Sequence, residues 1–119
     1  MQGKENRVRI LVVDDSRDFA EIFTRLLEQR GHMAEAVYSG EDAIKRFRDE
    51  KYSLAFVDFK LPGINGLDCL YAIKQLDPAC KIVMMSGYKM KKIHPDSHED
   101  DYHVIYKPFD MDKVMEFLN

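Results

Sequence analysis

Short apolar runs alternate along the chain with segments whose apolar residues recur every three or four positions. The runs at 10–13, 54–57 and 82–85 contain no polar residue, which predicts strands buried on both faces of a sheet. A stripe with the spacing of an amphipathic helix lies between the first two runs. Its members are Phe19, Ile22, Phe23, Leu26 and Leu27. The pattern therefore predicts strands and helices in alternation.

Local signals indicate further helices and their ends. Gly31 stands where a helix C-terminal cap belongs, and Ser39 with Asp42 resembles a capping box. Asp110 can cap a final helix. The apolar faces predicted for the second, third and last helices are Ala43, Ile44 and Phe47, then Leu67, Leu70, Ile73 and Leu76, then Val114, Phe117 and Leu118. Between residues 88 and 102, Pro95 allows at most a short or irregular helix.

Two weaker strand patterns complete a five-stranded sheet. Met33 to Tyr38 carries Glu35 in its middle and the short segment 103–106 begins with His103, so both are typical of sheet edges. With the three apolar strands inside and right-handed crossovers, the strand order 2-1-3-4-5 follows. The predicted fold class is α/β, a flavodoxin-like (βα)5 three-layer sandwich with a parallel sheet. We expect one domain over residues 1–119, with 1–6 a flexible tail.

Composition narrows the classes of function. The 119 residues carry 18 Lys and Arg against 21 Asp and Glu, so the basic excess used in direct nucleic-acid binding is missing. No apolar run approaches the roughly 20 residues of a membrane helix, and the polar start favours a cytoplasmic protein. Cys69 and Cys80 lack metal-ligand spacing and are expected to be packing residues.

Chemistry-bearing residues follow the strands at the sheet edge where parallel strands end. They are Asp14 and Asp15, then Asp58, Ser86 and Lys107. Asp14 or Asp15 taken alone is also typical of a helix cap, and Ser86 alone of a turn. Three carboxylates brought together repel one another unless a cation compensates them. Hard oxygen ligands in this number indicate Mg²⁺ as the cofactor.

Over nearly its whole length the chain resembles the receiver domains of two-component response regulators. The resemblance rests on residues 10–16, Val57-Asp58, Leu61-Pro62-Gly63, Asn65-Gly66, Ser86-Gly87 and Lys107-Pro108-Phe109. It implies that Asp58 is the phosphoacceptor, receiving a phosphoryl group from a phosphohistidine of a sensor histidine kinase or phosphotransfer protein. It also implies that Mg²⁺ is bound by Asp14, Asp15, Asp58 and the backbone carbonyl of Lys60.

Further roles follow from the same resemblance. Ser86 and Lys107 would bind the phosphoryl group and form the switch, and the Lys107-Pro108 peptide bond would be cis. Lys60 and Tyr88 border the path of a hydrolytic water, where their bulk is expected to prolong the phosphorylated state. The domain would assist its own phosphorylation and dephosphorylation without being an enzyme for a separate substrate. A downstream effector and a phosphorylation-dependent dimer are implied as partners.

One position departs from the family pattern, and other functions compete. Many members carry an aromatic residue where this chain has Val104, so we expect a switch without inward rotation of an aromatic ring. A phosphorylation-independent interaction module is the first alternative. An aspartate-nucleophile phosphatase is disfavoured because Ser16 stands where its second Asp belongs. An FMN carrier is disfavoured because the acidic loop 14–18 would repel the phosphate.

Overall fold

The computed structural model of the protein describes residues 8–87 and 102–118. The strands are β1 (Arg9–Val13), β2 (Met33–Val37), β3 (Leu54–Asp58), β4 (Lys81–Gly87) and β5 (His103–Lys107). The helices of these residues are α1 (Arg17–Gln29), α2 (Gly40–Asp49), α3 (Gly66–Leu76) and α4 (Met111–Met115). The tail expected at 1–6, the helix expected within 88–101 and Tyr88 lie outside the described residues.

The five strands form one parallel sheet in the order β2-β1-β3-β4-β5. This order confirms the sequence prediction, including the placement of the strands with Glu35 and His103 at the two edges. Val13 pairs with Val57 in the register of β1 and β3, and Gly87 pairs with Lys107 in that of β4 and β5. Because Asp58 at the end of β3 pairs with Met85, β4 and β5 extend two residues further at the same carboxyl edge.

The sheet is covered on both faces, which gives the three layers expected. One core cluster joins the sheet to α1 and α4 through Ala20, Phe23, Leu27 and Val114. The other joins it to α2 and α3 through Ala43, Phe47, Cys69, Leu70 and Ile73. The inner strands are buried because a helix layer covers each face of the sheet. Their sequences therefore show no alternation of apolar and polar residues.

Two residues of the apolar stripes that predicted the helices are exposed. Ile22 is 55% exposed and Leu76 is 44% exposed. The contact face of α1 is centred on Phe23 and Leu27, so Ile22 lies on its flank. Leu76 is the last residue of α3, where Ile73, one turn earlier, makes the core contact. The periodicity gave the right helices but apolar faces that were too wide in α1 and α3. For the last helix the prediction was too long, because α4 ends at Met115, before Phe117 and Leu118.

Helix ends follow the expected chemistry with one correction. Ser39 and Asp110 accept hydrogen bonds from the backbone N–H three residues on, as predicted, and Gly31 ends α1 with φ of 93°. The cap of α1 is Ser16 rather than either aspartate before it. Asp14 and Asp15 are thus left for another role.

The two cysteines behave as packing residues. Both are buried and neither forms a disulfide, and burial raises the pKa of each thiol to about 12.

Among the helices of the described residues, none combines the length and apolar character needed to span a bilayer.

Candidate functional site

Three aspartates meet at the carboxyl edge of the sheet. Asp14 and Asp15 follow β1, and Asp58 is the last residue of the adjacent β3. One carboxylate oxygen from each lies within 4.8 Å of the others. Asp14 is only 1% exposed, whereas Asp15 is open to solvent. The parallel topology thus brings together residues that are 44 positions apart in the chain, counting from Asp14 to Asp58.

Lys107 bridges two of these carboxylates from the end of β5. Its Nζ lies 2.8 Å from Oδ2 of Asp14 and 3.1 Å from Oδ2 of Asp58. The Lys107-Pro108 peptide bond is cis, as the resemblance implied. The ammonium also lies 4.4 Å from the centroid of the Phe19 ring. The sequence placed Lys107 at this edge but gave no indication that it would pair with two carboxylates.

Backbone N–H groups fix the other oxygen of each carboxylate. Ser16 donates to Oδ1 of Asp14 at 2.9 Å, and Lys60 donates to Oδ1 of Asp58 at 3.0 Å. The carboxylates of Asp14 and Asp58 are therefore each held by one backbone donor and by Lys107. Their orientation is set before any ligand binds, which is the preorganisation that electrostatic catalysis requires.

Burial makes the charge of Asp58 unfavourable. Desolvation raises the pKa of its carboxyl, and the neighbouring Asp14 acts in the same direction. The hydrogen bond from Lys60 and the charge of Lys107 lower that pKa without cancelling the effect of burial. For Lys107, burial lowers the pKa of the ammonium, but the hydrogen bond to Asp14 and the two carboxylate charges raise it on balance. Among the described residues, a further positive charge near Asp58 would therefore favour its ionised form.

The donor set fits a hard divalent cation. Three carboxylates face one ammonium, and their oxygens are close enough to be bridged by one ion. Mg²⁺ prefers a few carboxylates, with water and phosphate oxygens completing its shell. The residues expected to bind Mg²⁺ are thus suited to it, with Asp15 providing an exposed carboxylate at the mouth of the site.

Ser86 occupies a different local setting from the one expected. The sequence predicted a strand ending at Met85, whereas β4 continues through Ser86 to Gly87 because both residues pair with β5. The Ser86 side chain is fully buried, and its hydroxyl donates to the carbonyl of Gly87 at 3.2 Å. A new acceptor would have to compete with that hydrogen bond.

Val104 is half-buried and packs against the core that contains Tyr102. The ring of Tyr102 is buried in an edge contact with Phe59, with centroids 6.1 Å apart. This core cluster thus contains the ring of Tyr102, the residue directly before β5 and two positions ahead of Val104.

Sequence reasoning missed two residues near the site. Phe19 was assigned only to the apolar stripe of α1, yet its ring also contacts the ammonium of Lys107. Glu41 was not singled out, yet its carboxylate accepts a hydrogen bond from Ile64 in the loop after Asp58. No local pattern marks either role, because both depend on contacts between distant segments.

The doubly wound sheet and the acidic cluster at its carboxyl edge define a class of small α/β domains with an anionic, cation-demanding site. The family model of the response regulator receiver domain matches residues 10–119. The chain belongs to this family, which confirms the resemblance drawn from its motifs.

Relatives include both single-domain proteins and larger regulators. Chemotaxis protein CheY of Bacillus subtilis is 30% identical over 116 residues, covering 93% of this chain and 94% of that protein. Response regulator receiver protein CpdR of Brucella abortus is 29% identical over 102 residues, covering 85% of each. Transcriptional regulatory protein ZraR of Salmonella typhimurium is 30% identical, but the match spans only 26% of its length.

Solved structures show the same fold. A CheY-like receiver domain from Methylobacillus flagellatus is similar with a TM-score of 0.82 and 27% identity, covering 94% of this chain and 98% of that one. NtrX from Brucella abortus is similar with a TM-score of 0.85 and 28% identity over 26% of its chain. The flavodoxin-like topology derived from the sequence is thus the topology of the family.

Proposed function

We propose that the protein is a phosphorylatable signalling switch whose phosphoacceptor is Asp58. The donor is a phosphohistidine on a sensor histidine kinase or phosphotransfer protein. The observation that supports this most directly is the Asp58 carboxylate at the centre of the site, beside two further aspartates and bonded to Lys107. A nucleophile oriented among fixed charges suits phosphoryl transfer, where positioning and electrostatics dominate catalysis.

In the proposed reaction, a carboxylate oxygen of Asp58 forms a bond to phosphorus while the bond from phosphorus to the histidine nitrogen breaks. The electron pair of that bond returns to the imidazole. The carboxylates of Asp14, Asp15 and Asp58, with the backbone carbonyl of Lys60, would hold Mg²⁺. Bound there, Mg²⁺ would neutralise charge on the transferring phosphoryl oxygens. The Lys60 N–H keeps the Asp58 carboxylate oriented during the attack.

Lys107 and Ser86 are proposed to bind the phosphoryl group once it is attached to Asp58. The ammonium already contacts Oδ2 of Asp58 and would pair with a phosphoryl oxygen. The Ser86 hydroxyl would exchange its bond to the Gly87 carbonyl for one to another phosphoryl oxygen. That exchange would move the end of β4 and thereby alter the surface offered to a partner. With Val104 at the usual aromatic position, we expect this movement to occur without inward rotation of a ring.

The remaining roles are proposals of the same kind. The protein would regulate a downstream effector or an output domain, and phosphorylation could be coupled to dimer formation. Lys60, and Tyr88 outside the described residues, would slow hydrolysis of the acyl phosphate by their bulk. We place the protein in the cytoplasm, as one receiver domain that does not itself bind nucleic acid and that serves no separate substrate as an enzyme.

Intact-mass spectrometry tests this function. The protein is incubated with Mg²⁺ and a small-molecule phosphodonor, beside Asp58→Asn and a sample containing a chelator. We expect the mass of one phosphoryl group on the native protein and none in either control. A folded native protein that binds Mg²⁺ but takes up no phosphoryl group from the small donor or from phosphohistidine donors would instead support the phosphorylation-independent module.

A further inference from the structure

The loop between Asp58 and α3 is restrained by Glu41 of the adjacent helix α2. This residue lies in the first turn of α2, and its Oε2 accepts a hydrogen bond from the backbone N–H of Ile64 at 3.2 Å. Ile64 is six positions beyond Asp58 in the chain. A side chain of one crossover thus holds the middle of the loop that follows the phosphoacceptor.

Two glycines make this approach possible. A Cβ added to Gly63 would lie 2.5 Å from Oε2 of Glu41, and Gly63 has a φ of 73°, a conformation that favours glycine. A Cβ added to Gly40 would lie 2.6 Å from Cγ1 of Ile64. The Glu41 carboxylate therefore packs on the backbone of Gly63, while the Ile64 side chain packs on that of Gly40.

The same loop is anchored at its two ends on the phosphoacceptor strand. Gly66 donates to the carbonyl of Phe59 at 3.0 Å, and a Cβ at Gly66 would lie 2.2 Å from the carbonyl oxygen of Asp58. Near the start of the loop, the N–H of Lys60 holds Oδ1 of Asp58. Displacement of the middle of the loop would therefore be transmitted to the peptide that orients the Asp58 carboxylate.

We propose that Glu41 is a positioning residue for the phosphoacceptor loop. By fixing Ile64 it keeps the Lys60 peptide aligned with Asp58, and it thereby sets both the affinity of the site for Mg²⁺ and the rate of phosphorylation. This inference rests on the proposed function and deepens it. Glu41 touches neither the reacting atoms nor the three clustered aspartates, so it acts only through the loop.

A second role for Glu41, stabilising helix α2 by its charge alone, must be distinguished from positioning of the loop. Glu41 and Asp42 both lie in the first turn of α2, where a negative charge stabilises the helix. Asp42 is exposed and shares that effect, so Asp42→Ala is the matched control. Glu41→Ala removes the acceptor for Ile64, whereas Glu41→Gln keeps a carbonyl oxygen at that place.

The first test combines two NMR measurements, amide hydrogen exchange and Mg²⁺ titration. Both are made on the native protein and on the Glu41→Ala, Glu41→Gln and Asp42→Ala variants. For Glu41→Ala we expect the Ile64 amide to exchange about three- to tenfold faster and Mg²⁺ to bind about three- to tenfold more weakly, the equivalent of one hydrogen bond. Phosphorylation by a small donor at subsaturating Mg²⁺ should slow to a similar degree. Glu41→Gln and Asp42→Ala should stay within about twofold of the native protein.

Gly63→Ala provides a second test. Its Cβ would displace the Glu41 carboxylate and its φ of 73° would strain the backbone, so it should weaken Mg²⁺ binding at least as much as Glu41→Ala does. Combining the two should add little further loss of affinity, because the same contact is removed once. Fully additive losses would show that the two residues act independently and would overturn the proposal.

The outcomes separate this inference from the proposed function. If the native protein takes up neither Mg²⁺ nor a phosphoryl group, the proposed function fails and the inference fails with it. If the native protein does both and Glu41→Ala matches it in Mg²⁺ affinity and phosphorylation rate, only the inference fails. Equal losses in Glu41→Ala and Asp42→Ala would likewise assign the effect to the helix and overturn the positioning role.

Discussion

Two clusters of charged groups in the described part of the chain differ in how their charges are balanced. At the carboxyl edge of the sheet, among the described residues, three aspartates lie beside the ammonium of Lys107. Beside edge strand β2, the guanidinium groups of Arg9 and Arg46 meet Glu35 and Glu50. We call the first the acidic site and the second the balanced cluster. Counting described residues, carboxylates outnumber cations in the acidic site, whereas the balanced cluster pairs two carboxylates with two guanidinium groups.

The pKa shifts follow this difference. In the acidic site burial raises the pKa of the Asp58 carboxyl. In the balanced cluster the hydrogen bond from the Tyr52 hydroxyl, at 2.6 Å, lowers the pKa of the Glu35 carboxyl, with both arginines adding to the effect. A cluster that satisfies its own charge stabilises the fold, whereas one that does not can gain from binding a cation and a phosphoryl group.

Removing the cation of the acidic site should have the largest effect. Lys107→Met leaves the buried Asp14 and the neighbouring Asp58 without a countercharge, and we expect a loss of about 3 kcal/mol in the free energy of unfolding. Saturating Mg²⁺ should restore more stability in this variant than it adds to the native protein. Urea unfolding with and without Mg²⁺ measures both quantities. A variant as stable as the native protein without Mg²⁺ would show that the site does not need the charge of Lys107.

Neutralising the centre of the balanced cluster should have the next largest effect. Glu35→Gln is expected to lose about 1 to 2 kcal/mol at pH 7, a modest value because the side chain is one-third exposed. Since its pKa is lowered by folding, the stability that Glu35 provides is present above its ordinary value of 4.5 and is lost as the pH falls through the folded-state value. Urea unfolding at a series of pH values measures this.

Glu50→Gln is the matched control for that experiment. It removes an equal charge from the same cluster, but Glu50 is more exposed and pairs with Arg9 at the surface. We expect a loss below about 1 kcal/mol. Equal losses for the two variants would mean that the Glu35 charge, although it pairs with both arginines, contributes no more to stability than the charge of the more exposed Glu50.

The opposite sign is expected for Asp58. Because folding raises the pKa of its carboxyl, its contribution to stability is full below the ordinary value of 3.8 and is lost as the pH rises through the folded-state value. Without Mg²⁺ at pH 7, Asp58→Asn should therefore be more stable than the native protein by about 1 kcal/mol. Thermal unfolding at pH 7 and near pH 4 tests this. A destabilised Asp58→Asn at pH 7 would place Asp58 in the same class as Glu35.

The smallest effect should come from the aromatic rings that each cluster places against a cation. Lys107 lies 4.4 Å from the Phe19 centroid, and Arg9 lies 4.9 Å from that of Tyr52. We expect a coupling of about 0.5 to 1 kcal/mol between Phe19→Leu and Lys107→Met in a double-mutant cycle. Zero coupling would mean that the Phe19 ring contributes packing but no interaction with the Lys107 ammonium.

Much of the fold could be predicted because its signals are local. The wholly apolar runs marked the inner strands, Glu35 and His103 marked the edges, and Ser39 and Asp110 marked helix starts. The width of an apolar face could not be predicted in the same way. Whether Ile22 is covered depends on the angle at which α1 lies on the sheet, which no local pattern contains.

For the candidate site, too, the positions of the residues could be predicted but the contacts between them could not. The positions of Asp14, Asp15, Asp58 and Lys107 at one edge followed from the sequence, because parallel strands place their carboxyl ends together. The hydrogen bonds between them did not follow. Lys107 contacts Asp14 from 93 residues away, and only the register of the four strands β1, β3, β4 and β5 brings the two side chains together.

The sequence by itself determined the family, the strand order and the residues gathered at the carboxyl edge, because these depend on periodicity, caps and short motifs. The tertiary structure alone decided that Lys107 bridges two carboxylates, that Phe19 and Glu41 border the site, and that Glu35 lies between two arginines. The physical reason is that charge pairing and side-chain contact act over a few ångströms, between segments that only the folded sheet brings within reach.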